Sequence, residues 1–149
     1  MEILKKIPDS NAWEGYKDDL DVKYFYDFAY GKSIDDIQNH FGEGASIERA
    51  DELLFSPRIV FQYYIQAFVK YIMSEKAKGD SDSASSFIRL LLSREEKDPG
   101  SVKNIYQSLA ETIDFIANNQ EYYDADLDIY GSFTDLSKEI KNSCGIKNK

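Results

Sequence analysis

The longest helical pattern in the chain runs from Ser56 to Gly79 and is apolar over most of its circumference. Its polar side chains recur every four residues and form one narrow stripe: Arg58, Gln62, Gln66 and Lys70. Ser56 and Pro57 suit the N-cap and first helical positions, and Gly79 suits the position just after a helix. A helix that is apolar nearly all round must be surrounded by other elements. We therefore predict that residues 57–78 form the central helix of the fold.

Shorter segments show the same spacing of apolar residues three and four apart. They predict helices over residues 20–30, 33–41, 46–55 and 98–118, one from a cap at Asp82 or Ser83 to residue 97, and one over residues 132–145. No segment alternates apolar and polar residues over the length of a strand. We predict an all-α fold: an irregular, single-domain bundle of about six or seven helices spanning residues 1–149, frayed at residues 1–8 and 145–149.

Cysteine and histidine, the residues most often found in zinc sites and nucleophilic catalysis, are scarce. One Cys (Cys144) and one His (His40) exclude a disulfide framework and any multi-thiolate zinc or iron–sulfur site. No serine lies in a G-x-S-x-G elbow and no H-E-x-x-H is present. The sequence thus predicts a protein that is not an enzyme and needs no cofactor and no metal. The apolar stretch of the central helix is interrupted by polar residues, and no secretory signal precedes it, so we expect a cytoplasmic protein without a membrane span.

Two partial motifs lack the context that phosphate recognition requires. Gly31-Lys32-Ser33 is like the end of a phosphate-binding loop, but Tyr26 occupies the place of the first glycine. Residues 33–55 have a helix–turn–helix outline, but the second helix carries three acidic residues against Arg49 alone. Phosphate would repel such a helix, so we expect no direct binding of nucleic acid.

A third partial motif concerns calcium. The run from Asp124 to Asp128 has the acidic spacing that opens an EF-hand loop. Ile129 stands where that loop needs glycine, and Asp135 stands where it needs a bidentate glutamate. We therefore predict no dedicated metal site, and weak binding of a divalent cation to these carboxylates stays open.

The acidic residues are concentrated in two segments. The formal net charge of the chain is −9. Residues 9–55 hold 12 acidic and 4 basic residues, and residues 111–135 hold 7 acidic and no basic residues. Concentrated negative charge opposes compaction through self-repulsion, and solubility alone would need less of it. This distribution indicates a surface for a basic partner.

Tyrosines accompany both acidic segments, and interface hot spots are enriched in tyrosine. We predict that the carboxylates converge on one face and that the binding residues are Asp18, Asp19, Asp21, Tyr122, Tyr123, Asp124, Asp126 and Asp128. The predicted function is neutralisation of a basic protein. Its most specific form is an immunity protein that blocks the cationic site of a bacterial nuclease toxin.

Two other functions are compatible with the same sequence. The polar stripe of the central helix (Arg58, Gln62, Gln66, Lys70) could line an internal pocket of a regulatory or ligand-binding module. Alternatively, the acidic surface could imitate nucleic acid and block a DNA-binding protein. A structural interpretation is also open, in which the tyrosines edge the core and the acids form a solvated face. The sequence does not predict the oligomeric state.

Overall fold

A computed structural model describes residues 6–42 and 44–146, and all regular elements in these ranges are helical. Two 3-10 turns, Ser10–Trp13 and Tyr16–Asp18, precede eight α-helices: α1 (Leu20–Ala29), α2 (Ile34–Ile37), α3 (Ser46–Phe55), α4 (Arg58–Ile72), α5 (Ser81–Lys97), α6 (Tyr106–Asn118), α7 (Leu127–Tyr130) and α8 (Phe133–Ser143). The described ranges contain no strand, which confirms the all-α prediction. The predicted fraying falls in part on residues 1–5 and 147–149, which lie outside the described ranges.

Helix α4 lies at the centre of the fold, as its apolar circumference predicts. Ten of its 15 residues are buried, and it contacts α2, α3, α5 and α6. Full burial of one Phe, Ile or Val side chain contributes about 1.5–3 kcal/mol to the stability of the fold. This helix therefore supplies a large share of the stabilisation by the hydrophobic core. No helix in the described ranges is both long enough and apolar enough to cross a membrane.

The central helix is shorter than predicted and ends at Ile72 rather than at residue 78. Ser74 is extended (φ −87°, ψ 160°), and its hydroxyl donates to the Tyr71 carbonyl at 2.6 Å. A serine hydroxyl that satisfies a terminal carbonyl in this way competes with continuation of the helix. The chain then forms the 3-10 turn Glu75–Ala77 and turns at Gly79, whose φ of +78° suits glycine.

Side-chain caps predicted from the sequence are present at two helices. The Ser33 hydroxyl accepts the Asp36 N–H, and the Asp36 carboxylate accepts the Ser33 N–H, so α2 begins with a complete capping box. At α8, the Ser132 hydroxyl accepts the Asp135 N–H at 3.2 Å. Both helix starts are therefore confirmed.

Two other helices begin at residues that differ from the prediction. Helix α5 is capped by Asp80, whose carboxylate accepts the Ser83 N–H, rather than by Asp82 or Ser83. Helix α6 begins at Tyr106 rather than at residue 99. The reason is the buried Glu95 carboxylate, which accepts the N–H groups of three residues in this connection, Gly100, Val102 and Lys103.

Five helices pack side by side in the order α1, α3, α5, α8 and α6. The guanidinium of Arg94 is buried between α3 and α5 and donates to three carbonyls at the C-terminal end of α3, those of Leu53, Leu54 and Ser56. A groove between the two helices is lined by residues 47–54 of α3 and 82–93 of α5. Because Arg94, near the C-terminal end of α5, contacts the C-terminal end of α3, the two helices run parallel. This arrangement fixes where the two acidic segments lie.

Candidate protein-binding surface

The second acidic segment folds into a corner between α6 and α8 that contains the one-turn helix α7. We call residues 124–130 the α7 corner. Its helix is capped by Asp126, whose carboxylate accepts the Asp128 N–H at 2.7 Å. The Gln120 amide closes the corner by donating to two carbonyls on either side of α7, those of Ala125 and Gly131. These bonds hold a short segment that lacks the length to be stable alone.

The outer face of the α7 corner is both apolar and acidic. Leu127 is 64% exposed and Ile129 is 75% exposed. Three exposed carboxylates surround them: Asp124, Asp126 and Asp128. None of the three forms an ion pair with a described lysine or arginine. Large exposed apolar side chains beside unneutralised charge are a feature of protein-binding surfaces.

Tyr130 attaches the α7 corner to the start of α5. Its hydroxyl donates to the Asp82 carboxylate at 2.7 Å and accepts from the Ser81 hydroxyl at 3.0 Å. The Arg89 guanidinium donates to the Tyr130 carbonyl at 2.7 Å. The corner is therefore held on the body of the bundle, and its exposed face is presented by a fixed backbone.

The two tyrosines predicted as aromatic anchors have different environments. Tyr123 is fully buried, and its hydroxyl donates to the Ile72 carbonyl at 2.9 Å. Burial also raises its pKa. Tyr123 is thus a core residue that joins the α7 corner to the end of α4, and its predicted contact with a partner is wrong. Tyr122 is half-buried and packs edge-on against Phe115 and Tyr123.

The first acidic group lies at the start of α1. Asp18 and Asp21 are exposed, whereas Asp19 is half-buried and caps α1 by accepting the N–H groups of Asp21 and Val22. The apolar residue between these aspartates, Leu20, is 83% exposed. The start of α1 thus combines an exposed apolar side chain with exposed carboxylates, as the α7 corner does.

Helix α1 packs on α3 against a buried ion pair that lies within α3. The Arg49 guanidinium stacks on the rings of Tyr24 and Phe28 and donates to both carboxylate oxygens of Glu52. Burial raises the pKa of Glu52 to about 7, although Arg49 opposes this rise, and Asp21 adds to it. These contacts place Asp21 near the C-terminal half of α3.

The two acidic groups lie at opposite ends of α3. Asp21 is close to Glu52 in the last half of that helix. Tyr130 contacts Asp82 in the first turn of α5, and since α5 runs parallel to α3, this contact lies beside the first turn of α3. No hydrogen bond or ion pair between described residues joins the two groups. The two acidic groups are thus not in direct contact, and their convergence on one binding face stays a prediction.

The polar stripe of α4 divides into two halves with different surroundings. Arg58 pairs with Asp98, and the Gln62 amide donates to the Ser101 carbonyl, so this half holds the connection between α5 and α6. Gln66 and Lys70 line an open groove of about 460 Å³ together with residues of α2 and α6. A predicted pocket around all four residues is thus present only at the second half.

Residues considered for catalysis or metal binding lie in ordinary environments. Cys144 is buried, and burial raises the pKa of its thiol to about 11. The exposed His40 ring lies against Phe28, with 5.4 Å between the ring centroids. In the part of the chain that the structure describes, no three His, Cys, Asp or Glu side chains are placed to hold a metal ion.

Leu127 and Ile129, like Leu20, are exposed apolar residues that the sequence interpretation missed. A signal was available, because the alternation of acidic and apolar residues in Asp124–Ile129 lies in a segment too short to bury both apolar side chains. Compared with known proteins, the chain matches no protein family, no curated protein and no solved structure.

Proposed function

We propose that this chain is a non-enzymatic binding protein that captures a basic protein through the α7 corner. The observation that carries the proposal is the exposure of Leu127 and Ile129 among three carboxylates that have no cationic partner in the described chain. Because these carboxylates form no ion pair within the described fold, a complementary surface can neutralise them without breaking one.

The two chemical components of the α7 corner would contribute differently to binding. Burying the exposed parts of Leu127 and Ile129 would supply about 2–4 kcal/mol, from 1.5–3 kcal/mol per fully buried side chain. The carboxylates Asp124, Asp126 and Asp128 would mainly accelerate association with a positively charged surface and make it sensitive to salt. Affinity would thus depend on the apolar pair, and partner choice would depend on the charge.

The most specific form of this proposal is an immunity protein against a bacterial nuclease toxin. A nuclease binds phosphate and so presents a cationic cleft. The carboxylates of the α7 corner could occupy such a cleft in place of phosphates, with Leu127 and Ile129 packed beside it. Inhibition would then be stoichiometric, because the chain would block access without turnover.

Capture from native lysate tests the docking surface. The bait variant is Asp124→Asn/Asp126→Asn/Asp128→Asn, in which asparagine at residue 126 retains the helix cap. The control variant neutralises three exposed acids elsewhere: Glu75→Gln/Glu96→Gln/Glu111→Gln. We expect the wild type and the control to retain a protein of pI above about 9 that the bait variant loses. Recovery of neutral or acidic proteins only, or equal loss with both variants, contradicts the proposal.

The toxin hypothesis has its own measurement. The captured basic protein is assayed for cleavage of DNA and RNA while wild-type chain is added in increasing amounts. We expect activity to fall linearly to zero at one equivalent. A captured protein without nuclease activity would overturn the toxin hypothesis and leave the docking surface in place.

A ligand-binding module is the second candidate function, and the groove beside α4 favours it. The groove is lined by Tyr63, Gln66 and Lys70, and the Lys70 ammonium pairs with Asp35 at its edge at 2.6 Å. A ligand in this groove would perturb the amide resonances of Gln66 and Lys70 in a two-dimensional NMR titration. Perturbations confined to the α7 corner would favour the protein-binding function instead.

A further inference from the structure

A solvent-open groove lies between α3 and α5, and its volume is about 310 Å³. Its lining on α5 extends from Asp82 to Ser93, which is about 16 Å of helix, or about three turns. The α5 wall is low because it consists largely of short side chains, those of Ser85, Ser86 and Ser93. Two packed helices with short side chains between them leave a channel into which the side chains of a third helix can insert.

The apolar part of the groove comes mainly from α3. Ile47, Ala50 and Leu54 lie on one face of that helix, three and four residues apart. Ile47 is 55% exposed and Leu54 is half-buried, so both side chains are within reach of a partner. Apolar side chains left accessible in a concave surface gain stability when a partner covers them.

Acidic side chains exceed basic ones in this groove. Asp51 of α3 and Asp82 of α5 are exposed, and neither forms an ion pair with a described residue. Arg89 is the one cation among the described lining residues, and it donates to the Tyr130 carbonyl. The remaining negative charge favours a cationic occupant, and it repels a second copy of this chain, whose net charge is −9.

The groove is continuous with the α7 corner. Tyr130, the last residue of that corner, also lines the groove. Its hydroxyl donates to the Asp82 carboxylate, so the two surfaces meet at the start of α5. A partner bound at the α7 corner therefore lies beside the groove.

We propose that the groove between α3 and α5 receives a basic amphipathic helix of the partner bound at the α7 corner. The inference rests on the proposed function, since one partner covers both surfaces. The apolar face of its helix packs on Ile47 and Leu54, and its lysines or arginines pair with Asp51 and Asp82. A helix fits better than an extended segment, because both walls are helices, whose backbone groups are already hydrogen-bonded and offer no edge for β-pairing.

NMR titration of the full chain with a model helix tests the groove. The probe is a peptide of leucine and lysine, about four helical turns long, with leucines three and four residues apart. One comparison peptide alternates leucine and lysine and so lacks an apolar helix face, and a second has glutamate in place of lysine.

We expect the helical peptide to shift the amide resonances of Ile47, Leu54 and Ser86. It should also bind at least about tenfold more tightly than either comparison peptide. Shifts outside the groove only, or equal affinity for the helical and the alternating peptide, overturn the proposal.

Removal of one isoleucine tests the apolar contact. Ile47→Ser should weaken binding of the helical peptide about fivefold, because it removes the most exposed apolar side chain of the groove. The matched control is Ile59→Ser, since Ile59 is 49% exposed on α4 and lies outside the groove. Equal weakening by the two variants contradicts the placement of the helix.

Added positive charge tests the α5 wall. Ser86→Lys/Ser93→Lys brings two cations and their bulk into the groove and should weaken binding of the helical peptide at least about tenfold. The control Gln107→Lys/Ser143→Lys adds the same charge at exposed residues of α6 and α8. Equal affinities of these two variants for the peptide would refute the assignment to the groove.

Capture from lysate separates this inference from the proposed function. If Ser86→Lys/Ser93→Lys retains the basic protein that the bait variant of the α7 corner loses, the proposed function stands and the helix proposal is overturned. If the peptide binds as expected but the wild type captures no basic protein, the groove keeps its support and the α7 corner loses it. A wild-type dimer in sedimentation velocity that Ile47→Ser dissociates would assign the groove to a second copy and overturn the proposal.

Discussion

Arg94 is the side chain on which the joint between α3 and α5 most depends, and Arg94→Met is the variant that tests this. Its guanidinium is 3% exposed and donates to the carbonyls of Leu53, Leu54 and Ser56 at 3.2, 2.8 and 2.7 Å. It also lies 4.9 Å from the centre of the Phe61 ring.

The expected cost of this substitution follows from these contacts. Hydrogen bonds to a charged group contribute about 1.5–3 kcal/mol each. Methionine fills much of the same space and removes the cost of burying a charge, which offsets part of the loss. Arg94 also donates to the Asp98 carboxylate at 3.2 Å, but Arg58 donates to both oxygens of that carboxylate and remains in the variant, so Asp98 is not left unpaired. We therefore expect a net destabilisation of about 3–5 kcal/mol.

Urea unfolding followed by circular dichroism measures the effect. With an m-value of about 2 kcal/mol/M, the midpoint should fall by about 1.5–2.5 M. Arg89→Met is the matched control, because Arg89 is exposed on the same helix and donates to a single carbonyl. Arg89→Met should lower the free energy of unfolding by less than about 1 kcal/mol. Equal midpoints for the two variants would show that Arg94 does not hold the α3–α5 joint.

Three further substitutions test other contacts. Burial raises the pKa of Glu52 from 4.5 to about 7, so the folded state binds a proton that the unfolded state lacks in this interval. The contribution of Glu52 to stability should therefore fall by about 3 kcal/mol from pH 4.5 to 7, and in urea titrations Glu52→Gln should differ from wild type by the loss of this contribution. Tyr106→Phe should raise the free energy of unfolding by about 1 kcal/mol, measured in urea, because it removes an unpaired hydroxyl. Gly42→Ala should lower the melting temperature, at a cost of about 1–3 kcal/mol, because its methyl group would overlap the Tyr71 ring.

Local patterns predicted most of the helices because their causes are local. The four-residue spacing of the polar stripe identified α4, and the hydroxyls of Ser33 and Ser132 identified the starts of α2 and α8. Each signal depends on residues within one or two turns of the helix it marks.

The errors have distant causes. Helix α6 begins late because Glu95, on the preceding helix, binds the backbone N–H groups that would have opened it earlier. Tyr123 is buried because its hydroxyl reaches Ile72, 51 residues away in the chain. The placement of the two acidic groups at opposite ends of α3 depends on the parallel packing of α3 and α5. Sequence spacing carries no information on such contacts, so these features required the structure.

The unpaired carboxylates of the α7 corner have a thermodynamic consequence that separates a structural role from a binding role. Asp124, Asp126 and Asp128 repel one another and gain no ion pair in the described chain. Their replacement by asparagine should therefore raise the free energy of unfolding by about 0.5–1 kcal/mol in low-salt urea titrations, and the gain should vanish at 1 M salt. If binding is lost while stability rises, the acids are kept for a partner at the expense of the fold. If the triple variant is less stable than wild type, they serve the fold, and the proposed docking surface loses its main support.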